Sequence, residues 1–547
     1  MRADFSVPVR LRRPSSRNDT CCRPFREAAY NSESHPVYAL MLLRSFSLPF
    51  VAIPAITISR IRLSLDGPPR GLVTELCSKQ SDLVCGACVR RLESEVRALN
   101  WFFEIDAKLN EFLWGPAMIV AIVGIGIYLT LGTGIVQFRR FSAMVRETLA
   151  RKKRAGAEGD ISPFAALSTA LAGTVGVGNI AGVATAIALG GPGAIFWMWV
   201  SGLLGMATKF AEVVLGIAYR TRQSEGPMLG GPMMYIERGL GKNFKFLAVM
   251  FAVLGGLAAF GIGNMAQANS VATGLEQFHI PRLFTGIFLI LAVGLVTVGG
   301  LKRIAHVAVF FVPFMCIIYF LGAVILVLFN IQRLPETLIL IFKSAFTPVA
   351  ATGGFAGASF RAAIRWGIAR GVFSNEAGLG SAPIAHATAQ TDHPVRQGLW
   401  GIFEVFIDTI VICSATALAI LVTGVWKSGS TGAVLTMEAF QTVFGTKIGF
   451  SVVVLCMAMT AYDTMLAWGF YGETCAAYLF GPRARVIYRM LWLAPIMLGS
   501  LWEMKHVWGL ADTLNGLMAI PNLIALLLLG PVVFRLTKEF FSKDQNT

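Results

Sequence analysis

Charge is scarce in this sequence. Only 14% of its 547 residues are Asp, Glu, Lys or Arg, against roughly 25% in an ordinary soluble protein. Histidine is rarer still, with six in the whole chain. Neither a nucleophile–base pair nor a His/Cys cluster with ligand spacing is visible, which argues against a membrane-embedded enzyme. The isolated acids do not make the polar ring that would line a channel. What is abundant is apolar surface: 55% of residues are hydrophobic and the mean hydropathy is +0.64. A soluble domain cannot bury that much, because cores stop growing near ~250–300 residues. A soluble enzyme, a disordered tail and a fibrous repeat are therefore excluded, and the bilayer is the solvent that remains. The net charge of +16 would suggest nucleic acid in a soluble protein. Here its distribution matters more than its sum, and no nucleic-acid or obligatory protein partner is expected.

Residues 1–100 differ in kind from the rest. They carry 15 of the 47 basic residues and five of the nine cysteines, Cys21, Cys22, Cys77, Cys85 and Cys88. Their best apolar stretch, 37–58, is interrupted by Arg44, Pro49 and Pro54 and lacks a secretory cleavage pattern. Cys85 and Cys88 form a lone CxxC without a second pair, a weak metal or redox signal. The segment reads as a poorly ordered basic extension, or as sequence upstream of the true start.

From residue 113 onward, apolar stretches of spanning length recur, at about 20 residues each. They fall at 113–136, then at 162–190, 194–217, 246–275, 283–301, 304–329, 353–390, 398–425, 448–479, 486–502 and 507–534. That predicts eleven spans: one extra helix followed by ten core helices. With that count the intervening loops alternate in charge. One side holds 21 Lys and Arg, including Arg139, Arg140, Lys152, Lys153, Arg220, Lys302 and Arg535. The other holds six: Arg282, Arg333, Lys343, Lys427, Lys447 and Lys505. The basic side is predicted to be cytoplasmic, and with it the C-terminus.

Two distant segments match. Asn179, Ala181, Gly182 and Ala186 recur as Asn375, Ala377, Gly378 and Ala382, at an offset of 196 residues. Five predicted spans separate them, so the two copies cross in opposite directions, the signature of a 5 + 5 inverted repeat. The predicted organisation is an extension over 1–100, the extra helix and a basic loop over 101–161, a first repeat over 162–352 and a second over 353–547. Both copies are rich in glycine: Gly173, Gly176, Gly178 and Gly182 in the first core helix, and Gly371, Gly378 and Gly380 in the sixth. Each glycine weakens a helix by about 1 kcal/mol relative to alanine, so both helices are expected to break. Broken backbone is tolerated at membrane depth only where it lines a cavity or binds something. Free N–H groups then suit an anion and free carbonyls a cation, which together fit a zwitterionic amino acid with a companion Na⁺. Gly176–Ala181 also imitates a dinucleotide fingerprint, but it follows no strand and no acid lies ~20 residues on. No organic cofactor is expected.

With these residues in view, the chain from about 112 to 537 resembles the alanine or glycine:cation symporter family. The resemblance rests on long motifs at 174–187 (TVGVGNIAGVATAI), 191–200 (GPGAIFWMWV), 205–212 (GMATKFAE), 230–237 (GGPMMYIE), 261–270 (GIGNMAQANS) and 370–386 (RGVFSNEAGLGSAPIAH). It implies an all-α integral membrane protein with the leucine-transporter-type 5 + 5 fold plus one extra N-terminal helix. It further implies a secondary transporter of a bacterial inner membrane that imports alanine or glycine with Na⁺, with proton coupling as the alternative. Carried over, it implies a substrate carboxylate near the N–H groups of Gly176, Val177, Gly178 and Asn179. Ser374, Asn375 and Gly378 would face it, with Gln267 and Trp468 as walls. The principal sodium site would comprise the carbonyls of Ala172 and Val175, the hydroxyl of Thr464, and Asp463. Two positions depart from the family pattern: Val177 stands where Thr is usual, and Asp463 where Ser is expected. Asp463 would either tighten cation binding or carry a proton itself.

An ionisable residue at mid-membrane costs about 3 kcal/mol or more unless it finds a partner. Lys209 and Glu212, three residues apart on one helix, are expected to pair with each other. Arg361, Arg365 and Arg370 are expected near a helix end or bridging to Glu404 and Asp408. Glu376, in the presumed break, is expected either to hold free backbone N–H groups or to act as a gate. His386, Asp392 and His393 read as loop residues, and Cys316, Cys413, Cys456 and Cys475 as packing residues.

Overall fold

The structure, a computed structural model, describes residues 101–150, 157–223, 226–347 and 360–544. The extension over 1–100 and its CxxC lie outside the described residues. Among the described residues the chain is helical, with β pairing confined to isolated bridges such as Glu158–Thr391 and Ile161–Ala389. Those two join the loop before the first core helix to the loop after the sixth.

The helices that frame the site are α1 (Pro116–Gly132), α2 (Pro163–Thr174), α3 (Gly178–Gly190), α4 (Ala194–Ala218), α5 (Lys242–Glu276), α6 (Arg282–Thr297) and α7 (Gly300–Phe329). They continue with α8 (Leu334–Phe346), α9 (Phe360–Asn375), α10 (Ala382–His386), α11 (Pro394–Thr423), α12 (Gly432–Phe480), α13 (Ala484–Leu501) and α14 (Met504–Asp544). Helix occupies each of the eleven apolar stretches. Seven of the described helices are long and apolar enough to cross a membrane, or up to nine if each bent pair is one span. α6 is a shorter apolar helix of 16 residues. Among the helical stretches outside those runs are α8 and the part of α12 before Gly445, where a left-handed φ of 74° breaks the helix. In α8 a buried face (Thr337, Ile341, Ser344) alternates with exposed Ile339, Phe342 and Phe346, and its apolar run, 338–342, is far shorter than a span.

Burial sorts the helices. The apolar window of α4 is 83% buried and that of α7 only 28%. α4 packs chiefly against α9 and α11 at the centre. α7 lies outside, presenting Phe310, Phe314, Ile317 and Leu321. Helices can do this in hydrocarbon because every backbone group is bonded within the helix. The local starts are legible: Pro163 opens α2, and the Ser162 hydroxyl accepts the N–H of Ala165 at 3.2 Å.

Both glycine-rich segments are broken. α2 ends at Thr174, Val175 leaves helical geometry at φ −78°, ψ 81°, and α3 continues at an angle of 46° after a wide turn over Gly178–Gly182. α9 ends at Asn375, and α10 begins only at Ala382. Between them Glu376 (φ 57°), Gly378 (φ 94°) and Gly380 (φ 82°) take left-handed conformations. Glycine adopts these freely, whereas a glutamate there is strained.

α5 carries a third irregularity, a wide turn over Gly261–Met265, which lets α12 approach. A Cβ added at Gly263 would come within 2.0 Å of Trp468 Cβ, whereas one at Gly256 would meet nothing closer than 3.7 Å. Overpacking of this kind costs about 1–3 kcal/mol. Gly263→Ala should therefore lower the thermal melting midpoint in detergent by several degrees while Gly256→Ala leaves it unchanged. Equal melting of the two variants would contradict the close approach of α5 and α12.

Candidate functional site

The break after α2 leaves backbone N–H groups without helical acceptors, and side chains take them up. The N–H of Gly176 donates to Asn179 Oδ1 at 3.0 Å, and that of Val177 to Gln267 Oε1 at 3.2 Å. Two of the four donors expected to face a substrate carboxylate are thus already held by amide oxygens. Gln267 is fixed in turn by its own N–H, which donates to the Ile262 carbonyl at 2.9 Å.

Asn179 reaches further. Its Nδ2 donates to Asp408 Oδ1 at 2.7 Å and to the Asp408 carbonyl at 3.2 Å. Ser374 donates to both Asp408 oxygens at 3.1 and 3.0 Å, and Thr409 donates to Oδ2 at 2.8 Å. Cys413 lies 3.3 Å from Asn179 Nδ2 and 3.2 Å from Ser374 Oγ. The buried Asp408 therefore ties α3, α9 and α11 together. Gly178 makes this possible, since a Cβ there would lie 3.3 Å from Ser374 Cα. Asn375 turns the other way: its Nδ2 donates to Thr409 Oγ1 at 3.1 Å, and its Oδ1 caps the break by accepting the Ala377 N–H at 3.0 Å. The two repeat-matched asparagines thus bond to consecutive residues of α11.

The second break is held by a different acid. Glu212 Oε1 accepts the N–H groups of Gly378 and Gly380 at 3.0 Å each, and Asn522 Nδ2 at 2.6 Å. Asn522 also donates to the Gly378 carbonyl at 2.9 Å and accepts from the Tyr235 hydroxyl. Gly378 accordingly belongs to this cluster, against Leu523 of α14, and not to the Gly176–Asn179 cradle. Glu376 does not take up backbone N–H groups either; it accepts from Trp468 Nε1 at 2.8 Å and from the Ser381 hydroxyl. Trp468 packs against Gly263 in the wide turn of α5 that precedes Gln267.

Near the carbonyl end of α2, Thr464 donates to the Ala172 carbonyl at 2.8 Å and to Thr460 at 2.9 Å. Its neighbour Asp463 is fully buried with neither carboxyl oxygen partnered. Val175 ends α2, its N–H bonded to Leu171 at 2.7 Å. The structure thus brings Ala172 and Thr464 into contact and leaves an oxygen-rich acid beside them.

Three charge expectations are corrected. Lys209 pairs with Glu404 at 3.2 Å rather than with Glu212, because the neighbouring helix α11 offers a buried carboxylate while Glu212 is engaged by the α9 break. Glu404 also bonds His386 Nε2 at 2.8 Å, and Gln397 bonds His386 Nδ1 at 2.9 Å, so His386 is a buried helix residue and not a loop one. Arg370 bridges to neither Glu404 nor Asp408; it forms a bidentate pair with Asp512 of α14 at 3.0 and 2.5 Å, ringed by Trp366, Phe373 and Trp508. Among the described residues no group of three or more His, Cys, Asp or Glu is arranged to hold a metal ion.

Sequence reading missed Asp408 as an organiser of the first break and Glu212 as the holder of the second. A signal was present. Glu212 and Asp408 stand 196 residues apart, the same offset as the asparagines. Glu212, the earlier acid, serves the later break, and Asp408, the later acid, serves the earlier one.

Interrupted helices whose freed backbone is held by buried polar side chains define a membrane transporter and not an enzyme. The chain belongs to the sodium:alanine symporter family, whose model matches residues 100–547. It is 46% identical over 452 residues to the sodium/alanine symporter AgcS of Methanococcus maripaludis, covering 81% of this chain and 98% of that protein. An uncharacterised transporter of Haemophilus influenzae is also 46% identical, over 80% of this chain and 96% of its own length. The fold is similar to the crystal structure of MhsT in complex with L-phenylalanine, at 12% identity and a TM-score of 0.51, over 70% of this chain and 99% of that one.

A hydrogen bond to a charged group contributes about 1.5–3 kcal/mol, and orphaning a buried charge costs more than losing a neutral bond. Glu212→Gln keeps an acceptor for Gly378 and Gly380 but loses the charge, whereas Glu212→Leu leaves both N–H groups bare. Glu212→Leu should lose folded protein, seen as a collapsed size-exclusion peak in detergent, and Glu212→Gln should retain it. Equal recovery of both would show that the α9 break does not depend on this carboxylate.

Proposed function

We propose that this chain imports a small neutral amino acid, alanine or glycine, coupled to Na⁺ by alternating access. The observation that carries the reading is the buried, unpartnered carboxylate of Asp463 beside the Thr464–Ala172 contact. A carboxylate, a hydroxyl and a backbone carbonyl are all hard oxygen donors, the set a Na⁺ ion takes. AgcS, named a sodium/alanine symporter, supports the same substrate pair. Na⁺ bound there would fix the end of α2 and so hold the Gly176–Asn179 segment for the amino acid. The substrate carboxylate would then replace Asn179 Oδ1 and Gln267 Oε1 on the Gly176 and Val177 N–H groups, with Ser374 and Trp468 completing the cradle.

In this reading the chain has eleven spans, with α2–α7 and α9–α14 as oppositely oriented halves over 162–352 and 353–547. The interchange of Glu212 and Asp408 between the two breaks supports that symmetry. The Arg-rich loops support a cytoplasmic C-terminus, and the reading puts the chain in a bacterial inner membrane. The same Asp463 supports a second reading. A protonated carboxyl also tolerates burial without a charged partner, so a proton is the alternative coupling ion.

Labelled alanine uptake into proteoliposomes tests both. With an inward Na⁺ gradient and no pH gradient, the wild type should accumulate alanine uphill, and Asp463→Ala and Asp463→Asn should reduce the initial rate more than tenfold at equal reconstitution. Accumulation driven by a pH gradient alone, without Na⁺, would replace sodium by the proton. Wild-type rates in the Asp463 variants would remove this residue from coupling. Asn179→Ala, which loses the bonds to Asp408 and Gly176, should likewise abolish uptake while the protein still reaches the membrane; uptake at the wild-type rate would place the cradle elsewhere.

A further inference from the structure

Among the described residues, two carboxyl or amide side chains are buried with both polar ends unpartnered: Asp463 and Asn515 of α14. The other buried asparagines show what is usual here. Asn264 donates to the Trp492 carbonyl at 2.7 Å, Asn269 to the carbonyls of Gly499 and Trp502, and Asn522 to Glu212. A buried amide left without any partner is costly, and such exceptions point to a group that is missing.

The register of α14 says where that group would sit. Trp508 stacks on Phe373 with ring centroids 5.0 Å apart, Asp512 pairs with Arg370, and Asn522 bonds the Gly378 carbonyl. These residues lie on one stripe of the helix, and at about 100° per residue Asn515 falls on it between Asp512 and Asn522. At a rise of about 1.5 Å per residue it stands about 4.5 Å beyond Asp512 toward Asn522, between the level of the Arg370 pair and that of the Gly378 carbonyl. Its other flank is fixed independently. Positions 511 and 514 touch Gly261, the first residue of the wide turn in α5 that leads to Gln267. Asn515 therefore lies on the flank of α14 between its contacts to Arg370 and to the α9 break, next to positions that meet the α5 turn.

We propose that Asn515 is a substrate-binding residue, its amide bonding the ammonium and carboxylate ends of an α-amino acid. This rests on the small-amino-acid reading above and extends the site to α14. An amide suits the task because it offers an acceptor in Oδ1 and two donors on Nδ2 in one plane. A zwitterion needs both kinds of partner within a few ångströms. A carboxylate at this position would serve only the ammonium, and a basic residue only the carboxylate.

Substitution by leucine separates a binding role from a structural one, because leucine fills a similar volume without polar atoms. The wild type, Asn515→Leu and, as a second variant with less bulk, Asn515→Ala are to be purified in detergent and melted with and without 10 mM-scale alanine or glycine in Na⁺. They are then to be assayed for Na⁺-driven uptake. The expected result is that Asn515→Leu melts without ligand at or above the wild-type temperature, since no native bond is lost. The amino-acid-induced rise in melting temperature disappears, and the KM for alanine uptake rises at least tenfold with a smaller change in maximal rate; Asn515→Ala shows the same KM rise. If either folded variant keeps the wild-type melting shift and KM, the assignment of Asn515 is overturned while the transport reading stands. If the wild type itself shows neither a melting shift nor uptake with alanine or glycine, the transport reading fails, and this assignment with it.

Discussion

Two buried carboxylates hold this structure open where helices ought to be closed. A helix interrupted in hydrocarbon exposes N–H groups that water cannot reach, and each such group costs several kcal/mol. Glycine permits the interruption but supplies nothing to satisfy it. Glu212 accepts the two glycine N–H groups of the α9 break, and Asp408, through Asn179, closes the break after α2. Both acids are compensated mainly by hydrogen bonds from neutral donors. Lys209, the buried base near Glu212, is paired with Glu404 instead. That arrangement leaves a buried acidic side chain at each break that hydrogen bonds from neutral groups compensate.

The exchange between halves has a mechanical consequence. α4, which carries Glu212, grips the α9 break, while α11, which carries Asp408, grips the α3 segment and Ser374 together. The four elements are thereby locked into one another through their broken ends. Arg370–Asp512 and Glu212–Asn522 tie this group to α14 at two separate levels, one before the α9 break and one within it. A movement that separated α9 from α14 would have to break these contacts one level at a time, a geometry suited to opening one side of a membrane while the other stays shut.

Much of this was legible before any coordinates, for definite reasons. Hydrophobic runs near 20 residues announced the helices. The paired Asn-x-Ala-Gly segments announced the breaks, because so many glycines have no other use in a helix of that depth. The contact between Thr464 and Ala172 followed from family resemblance, not from spacing. What the sequence could not show was which buried charge meets which. Lys209 and Glu212 share a helix face, and local spacing favours their pairing, but contacts across helices decide such choices in a packed core. α8 and the first part of α12 escaped notice because their apolar runs are broken by polar residues well short of a spanning length. Gly378 was placed beside the substrate by the family resemblance; in the structure the left-handed turn at Glu376 precedes it and its carbonyl bonds Asn522.

The cradle carries its own competitor. In this structure the N–H groups of Gly176 and Val177 are occupied by Asn179 and Gln267, so an incoming carboxylate gains nothing there unless it displaces two existing bonds. Such a site binds weakly by itself, and its affinity depends on whatever biases Asn179 and Gln267 away from their present partners. Asn179 is also the donor to Asp408, so a movement of Asn179 off Gly176 also disturbs its bond to that acid. Gln267 follows, by two residues, the α5 turn against which Trp468 packs, and Trp468 lies one helical turn from Thr464 on α12. A cation held at Asp463 and Thr464 would therefore stiffen the helix that abuts this turn. Coupling of this kind is reciprocal: if an ion eases the release of those N–H groups by a given factor, the amino acid raises affinity for the ion by the same factor.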